Sequence, residues 1–230
     1  WHGQARPSAW SGALMAGLAA RHPHAGSADG ATGDEPADAG AAAADMHEQA
    51  VFAALQNMLA DHRGFAGDAA PSPPGVILPI DAVVNVLGAM QALPAPGRNA
   101  GLPRRTVDDL RQAMLARMRE SHGPDAGLSQ EHNDTFDLLG MLYREIGREV
   151  HVDAPAQDLL EKLQVPVVRA AVQDRSFFVR DQHPARELLN SVAESGATWL
   201  ADDDADPQLV LRLEQAVDKV VVEYDGDETV

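Results

Sequence analysis

Nine histidines are the first residues to weigh for chemistry, because imidazole is the commonest metal ligand. Their spacing argues against that use. His22 and His24 sit in a stretch with no large apolar residue to hold them, with His2 upstream. His47, His62, His122, His132, His151 and His183 are scattered. No His-x-x-x-His pair occurs with the glutamate that a metalloprotease helix needs. Asp202, Asp203, Asp204 and Asp206 resemble a calcium loop but lack its glycine at the sixth position and glutamate at the twelfth. They read instead as an acidic turn favouring the next helix N-terminus. The chain has no cysteine, which removes thiol catalysis, disulfides and zinc sites of the cysteine type. No glycine-rich phosphate loop and no Gly-x-Ser-x-Gly elbow is present. No catalytic residue, metal or cofactor is therefore expected.

Two arrangements remain. Arg144 and Arg148 are four apart, like the arginine pair that grips cyclic dinucleotides. No Asp-x-Ser-x-x-Gly follows, and Glu145 and Glu149 lie beside them, so a solvated helix face is the expected reading. The stretch DRSFFVRDQHPARELLNSVAE, residues 174–194, is more distinctive. Phe177 and Phe178 are adjacent and cannot both face one way. One is expected to anchor the turn in the core. The other is either exposed for a partner or closes a different part of the core. Pro184 suits the first turn of a helix, where its missing N–H costs nothing, and Asp181 is placed to accept from that turn's free amides. Phe177, Phe178, His183, Pro184 and Arg186 are therefore taken as one unit, a structural turn or an interaction site.

The elements around these residues read as helices. Aromatics make up only 4% of a chain that is 45% hydrophobic, and alanine is abundant, which suits close helix packing better than a sheet. Trp10 to Ala20 allows one short helix, so residues 1–21 are a short N-terminal apolar helix or the remnant of a preceding region. Residues 22–44 are small and polar and are expected to be a disordered linker. A helical domain is expected over 45–230. Its first helix carries Val51, Phe52, Leu55, Met58 and Leu59. Its second is capped by Asp81 and carries Val83, Val84, Leu87 and Met90. Its third starts at Thr106, with Asp109 completing a capping box. The fourth, capped by Asn133 or Asp134, carries Phe136, Leu139, Leu142, Tyr143 and Ile146, and a close helix crossing would explain Gly140 inside it. The fifth runs from Pro155, is kinked or divided at Pro166, and continues through Val167, Val168, Ala171 and Val172. A further helix opens at Pro184 and ends at Gly196, and a last one starts at Pro207. The fold class is all-α: an irregular bundle of about seven or eight helices.

Residues 165–199 also resemble a known family. The apolar run Val165 to Val172, then Ser176-Phe177-Phe178, His183-Pro184-Ala185-Arg186, Leu188-Leu189-Asn190 and Trp199 are similar to a signature of a proteobacterial helical family, DUF1631. From about residue 76 the preceding helices fit it more loosely. Its members are often labelled thymidine phosphorylases, and some carry a PilZ domain elsewhere in the chain. The resemblance implies an internal helical part of a larger protein and supplies no catalytic residue. A nucleoside phosphorylase needs a phosphate-cradling loop with a basic group beside it. No such glycine-rich loop exists here, and Lys162 and Lys219 are the only lysines.

The formal charge of −17 disfavours nucleic acid and anionic lipid. No apolar run approaches the length of a membrane span. The chain opens Trp1-His2-Gly3 and reads as a fragment of a longer bacterial protein. The expected function is a non-catalytic, cytoplasmic protein-interaction or regulatory module. The alternatives are a receptor for a nucleotide or other small signalling ligand, and an enzyme domain with an unrecognised active site. A shallow apolar groove between helices would favour the first. A deep pocket joining His183, Arg186 and a carboxylate would favour the others.

Overall fold

The computed structural model describes residues 37–66, 75–93, 104–150, 155–180, 182–198 and 207–224. The chain divides into two units, Trp1–Gln49 and Ala50–Val230. In the first, only the helical residues 37–49 are described; the expected helix at 10–20 and residues 22–36 lie outside the described residues. The second unit holds everything that follows.

The elements, in order, are α1 (Ala37–Ala66), β1 (Val76–Ile77), α2 (Ile80–Gln91), α3 (Val107–His122), β2 (Ala126–Gly127), α4 (Gln130–Glu149), α5 (Pro155–Gln173), α6 (Ser176–Val179), α7 (Pro184–Thr198) and α8 (Pro207–Glu223). The architecture is an irregular all-α bundle. Helix α1 reaches back into the stretch read as linker because Ala41 to Ala44 have the highest helix propensity of any residue type. The two short strands pair in parallel, Val76 with Ala126 and Ile77 with Gly127. Two residues are too few to leave an alternating pattern in sequence.

Helix α5 is the axis of the bundle. It packs against α2, α4, α7 and α8 and is buried over most of its length, Leu159, Leu163, Val167 and Val168 among the residues wholly removed from water. A helix surrounded on all sides needs apolar residues all round, which accounts for the run through Val172. Pro166 does not divide it; α5 is continuous from Pro155 to Gln173. The proline cannot donate to the carbonyl four residues earlier, and its ring is itself buried in the core. Valines 220 to 222 likewise stay helical, to Glu223.

The caps differ from expectation in part. Thr106 and Asp109 form the capping box: the Thr106 Oγ1 accepts from the Asp109 amide at 3.1 Å and the Asp109 Oδ2 accepts from the Thr106 amide at 2.8 Å. The Thr106 hydroxyl, donating to the same oxygen at 2.7 Å, and then its amide hold the Asp109 carboxyl below the usual carboxylate range. Helix α2 starts at Pro79 with no side-chain cap, and Asp81 lies inside its first turn. Helix α4 is capped by Ser129, which accepts from the His132 amide at 3.1 Å. Asp134 is instead buried one turn further on, where Arg63 Nη1 from α1 donates to it at 2.7 Å and Gln56 Nε2 at 3.1 Å. Arg63 also pairs with Asp137, which accepts from Arg111 Nη1 at 2.6 Å, so that α1, α3 and α4 share one ion network. On α1, Phe52, Leu55 and Leu59 face the core while Met58 is exposed.

Gly140 and Gly196 exchange roles. A Cβ built at Gly140 meets nothing within 4 Å, so no close crossing explains it. Gly196 does not end α7, which runs on to Thr198; a Cβ there would come inside 3.0 Å of the Ala156 Cβ at the start of α5. The close approach of helices is at Gly196.

Candidate functional site

The segment read as one unit is built as one. Asp174 ends α5, its amide donating to the Ala170 carbonyl at 2.8 Å. Its carboxylate then accepts from the Ser176 amide at 2.8 Å and from the Ser176 hydroxyl at 2.5 Å, which starts the single turn of α6. That turn aims the two phenylalanines apart. Phe177 is 1% exposed and belongs to the core. Phe178 is half-buried, edge-on to Phe177 at 5.1 Å between centroids and tilted against Phe52 of α1 at 5.9 Å. It therefore closes a second part of the core against α1. Arg175 lies over Phe52, 5.8 Å from the ring centroid, and pairs with Glu131 of α4.

His183 is the hinge of the arrangement. Its ring is buried, edge-on to Phe177 at 5.3 Å between centroids. Nδ1 accepts from the Ala185 amide at 3.2 Å, and the backbone carbonyl accepts from the Arg186 and Glu187 amides at 2.9 Å each. His183 thus caps α7, the role expected of Asp181, which lies outside the described residues. With Nδ1 accepting, the proton of the neutral ring sits on Nε2, 3.7 Å from Asp174 Oδ2. Pro184 follows as the exposed first residue of α7. Arg186 is buried, not a surface residue, and is already engaged within the structure.

Beside this turn, α5, α7 and α8 leave an open cleft of about 220 Å³. Leu163, Pro166 and Val167 wall it from α5, Pro184 and Leu188 from α7, and Val220 from α8. His183 and Tyr224 supply its polar edges. Helix α8 is fixed there by its C-terminus. Gln91 Nε2 donates to the Val221 and Tyr224 carbonyls at 2.9 and 2.8 Å, and Arg169 Nη1 donates to the Tyr224 carbonyl at 2.9 Å. Helices end with carbonyls that lack a partner; a buried glutamine and an arginine supply one here. Of the five residues singled out in sequence, His183 and Pro184 line the cleft, Phe177 packs on the His183 ring, Phe178 packs on Phe177 and Phe52, and Arg186 does not line it. Leu163, Pro166, Val220 and Tyr224 were not foreseen as its walls, since they are up to 61 residues apart and carry only the ordinary core spacing.

The remaining candidates resolve simply. Among the described residues no group of three or more histidine and acidic side chains could hold a metal ion. No described helix is long and apolar enough to cross a membrane. Arg148 pairs with Glu145 at 2.8 Å on an exposed face, so it does not act with Arg144 as a fork. The acidic turn 202–206 and Trp199 lie outside the described residues.

An all-α bundle organised on one buried helix, with a signature turn closing it, is the class this architecture defines. The family model for the second domain of DUF1631, a protein of unknown function, matches residues 78–227. The chain belongs to that family. No curated protein and no solved structure matches it significantly.

Proposed function

We propose that this chain is a non-catalytic module that binds another protein, working in the cytoplasm as part of a larger bacterial protein. The observation that carries the reading is the open apolar cleft between α5, α7 and α8, on a molecule whose formal charge is −17. Pockets for drug-sized ligands run to about 300–1,000 Å³. A cleft of about 220 Å³ is nearer the size of one or two apolar side chains. Side chains projecting at three- and four-residue spacing from a partner helix enter such grooves as anchors. The net negative charge of the chain favours a partner with basic residues flanking the anchor, and steers its approach. Rigid walls favour the reading too: α5 is buried, and α7 and α8 are each tied down at one end.

The test uses the full-length protein carrying Ala185→Glu. Ala185 lines the cleft in the first turn of α7, where a glutamate suits the helix dipole. The charge should abolish co-purification of the partner from the source cell while the melting temperature stays within a degree or two of wild type. Undiminished capture of the same partner would refute the cleft as the binding site.

A further inference from the structure

Among the described residues, α2 through α8 each contribute at least one side chain to a continuous apolar core, which runs through Leu87, Met114, Leu139, Leu163, Phe177, Leu189 and Val217. Helix α1 does not. Its Phe52, Leu55 and Leu59 are buried, at the spacing of one helix face, yet they lie apart from that core. The matched family domain also begins only at residue 78, after α1 has ended. What fastens α1 is one aromatic contact and one polar one. Phe52 lies tilted on Phe178 of α6, 5.9 Å between centroids, with the Arg175 guanidinium over its ring. Arg63 stands 11 residues further on, about three turns, and so on the same face. It forks onto α4: Nη1 donates to Asp134 Oδ1 at 2.7 Å and Nε to Asp137 Oδ2 at 3.0 Å. Gln56 Nε2 donates to Asp134 Oδ2 at 3.1 Å between these two points.

The face beneath is satisfied without α1. Asp134 Oδ1 also accepts from Gln130 Nε2 at 2.9 Å, within α4. Asp137 accepts from Arg111 Nη1 at 2.6 Å. Phe178 has its edge contact with Phe177, and Arg175 its ion pair with Glu131. Removing one member of a buried charge pair is costly because the other stays buried and unpaired. Departure of α1 leaves no such orphan: both carboxylates go back to water with a partner each, and no gap opens in the continuous core. Withdrawal of α5, by contrast, would strip α2, α4, α7 and α8 together. Segments with few shared apolar contacts open at lower free energy than the core.

We infer that residues 50–66 of α1 are a detachable strap, which leaves and rejoins the face of α4 and α6 as one piece while the bundle from Val76 onward stays folded. Release bares the Phe178 ring beside the Asp134 and Asp137 carboxylates. The strap is separate from the apolar cleft and does not depend on it.

Native-state hydrogen exchange of the intact chain, followed amide by amide by NMR, tests this. The amides of Phe52, Leu55 and Leu59 should exchange about 10-fold or more faster than those of Leu163 and Val167 in α5, through one shared opening. Arg63→Ala should quicken all three by about 10-fold or more and leave α5 unchanged. Fraying of the helix end would touch only residues near Arg63, so the response at Phe52 marks release as a unit. Phe52→Ala should likewise quicken Leu55 and Leu59 but not α5. Both substitutions lie on the strap, so the bundle keeps its own contacts. Met58→Ala, on the exposed face of the same helix, should change neither. Equal exchange in α1 and α5 of the unaltered chain, an Arg63→Ala effect confined to its neighbours, or one that reaches α5 equally, overturns the inference.

Discussion

Replacing Gly196 by alanine sets two effects of known sign against each other. In a helix interior the change is ordinarily stabilising by about 1 kcal/mol, because glycine has the greater backbone freedom to lose. Gly196 lies inside α7, two residues before its end, and is buried. The new methyl would come inside 3.0 Å of the Ala156 Cβ and would stand 3.0 Å from Val150 Cγ1. Carbon atoms in contact rest about 3.5–4.0 Å apart. The Ala156 methyl is fixed directly to the backbone and cannot rotate aside, so α7 must draw back from the start of α5. Overpacking of this kind costs about 1–3 kcal/mol, and a clash with an immovable methyl belongs at the upper end. The net expected loss is about 1–2 kcal/mol, a fall of about 2–8 °C in melting temperature for a domain of this size. Gly140→Ala is the internal control, since its Cβ enters open space; it should gain up to about 1 kcal/mol. Thermal unfolding followed by circular dichroism measures both. If Gly196→Ala melts at or above the wild-type temperature, the close approach of α7 and α5 is refuted.

Two further outcomes follow from the same packing. Phe177→Ala should cost roughly 3–5 kcal/mol in urea unfolding, because the ring is wholly buried and its neighbours His183 and Phe178 cannot both collapse into the gap; a loss below about 1 kcal/mol would place the ring outside the core. Burial lowers the pKa of His132 from 6.5, so between its folded value and 6.5 the unfolded chain binds a proton that the native state does not. Stability should therefore fall as pH drops through 6.5 towards the lowered folded value, and His132→Gln should flatten that fall; an unchanged slope would remove His132 as its cause.

The helices were legible because burial repeats at three and four residues, and the Thr106–Asp109 box because its signal is local. What escaped needed neighbours distant in sequence. The start of α4 was placed late because Gln130, Glu131 and His132 carry no apolar residue, and Asp134 then looked like a cap. Its burial depends on Arg63, 71 residues away. Nothing along the chain distinguishes Gly140 from Gly196; only the position of Ala156 does. His183 was picked out for its place in the turn, but its use of Nδ1 to cap α7 depends on the ring's rotation against Phe177. In sequence Arg144 pairs by spacing with Arg148, yet the arginines that line a cavity with it, Arg104 and Arg105, stand just before α3.

The central position of α5 has a consequence for how the chain is made. Synthesis runs from the N-terminus at about 5–20 residues per second. Helices α2 and α4 precede α5 and pack their apolar faces on it, so those faces have no native cover until residues 155–173 have been added. Helices α7 and α8 come later still and close the other sides. The earlier helices pack in part on one another, α2 with α3 and α3 with α4, but the faces they turn to α5 stay open to chaperones and to neighbouring chains until that helix has been added.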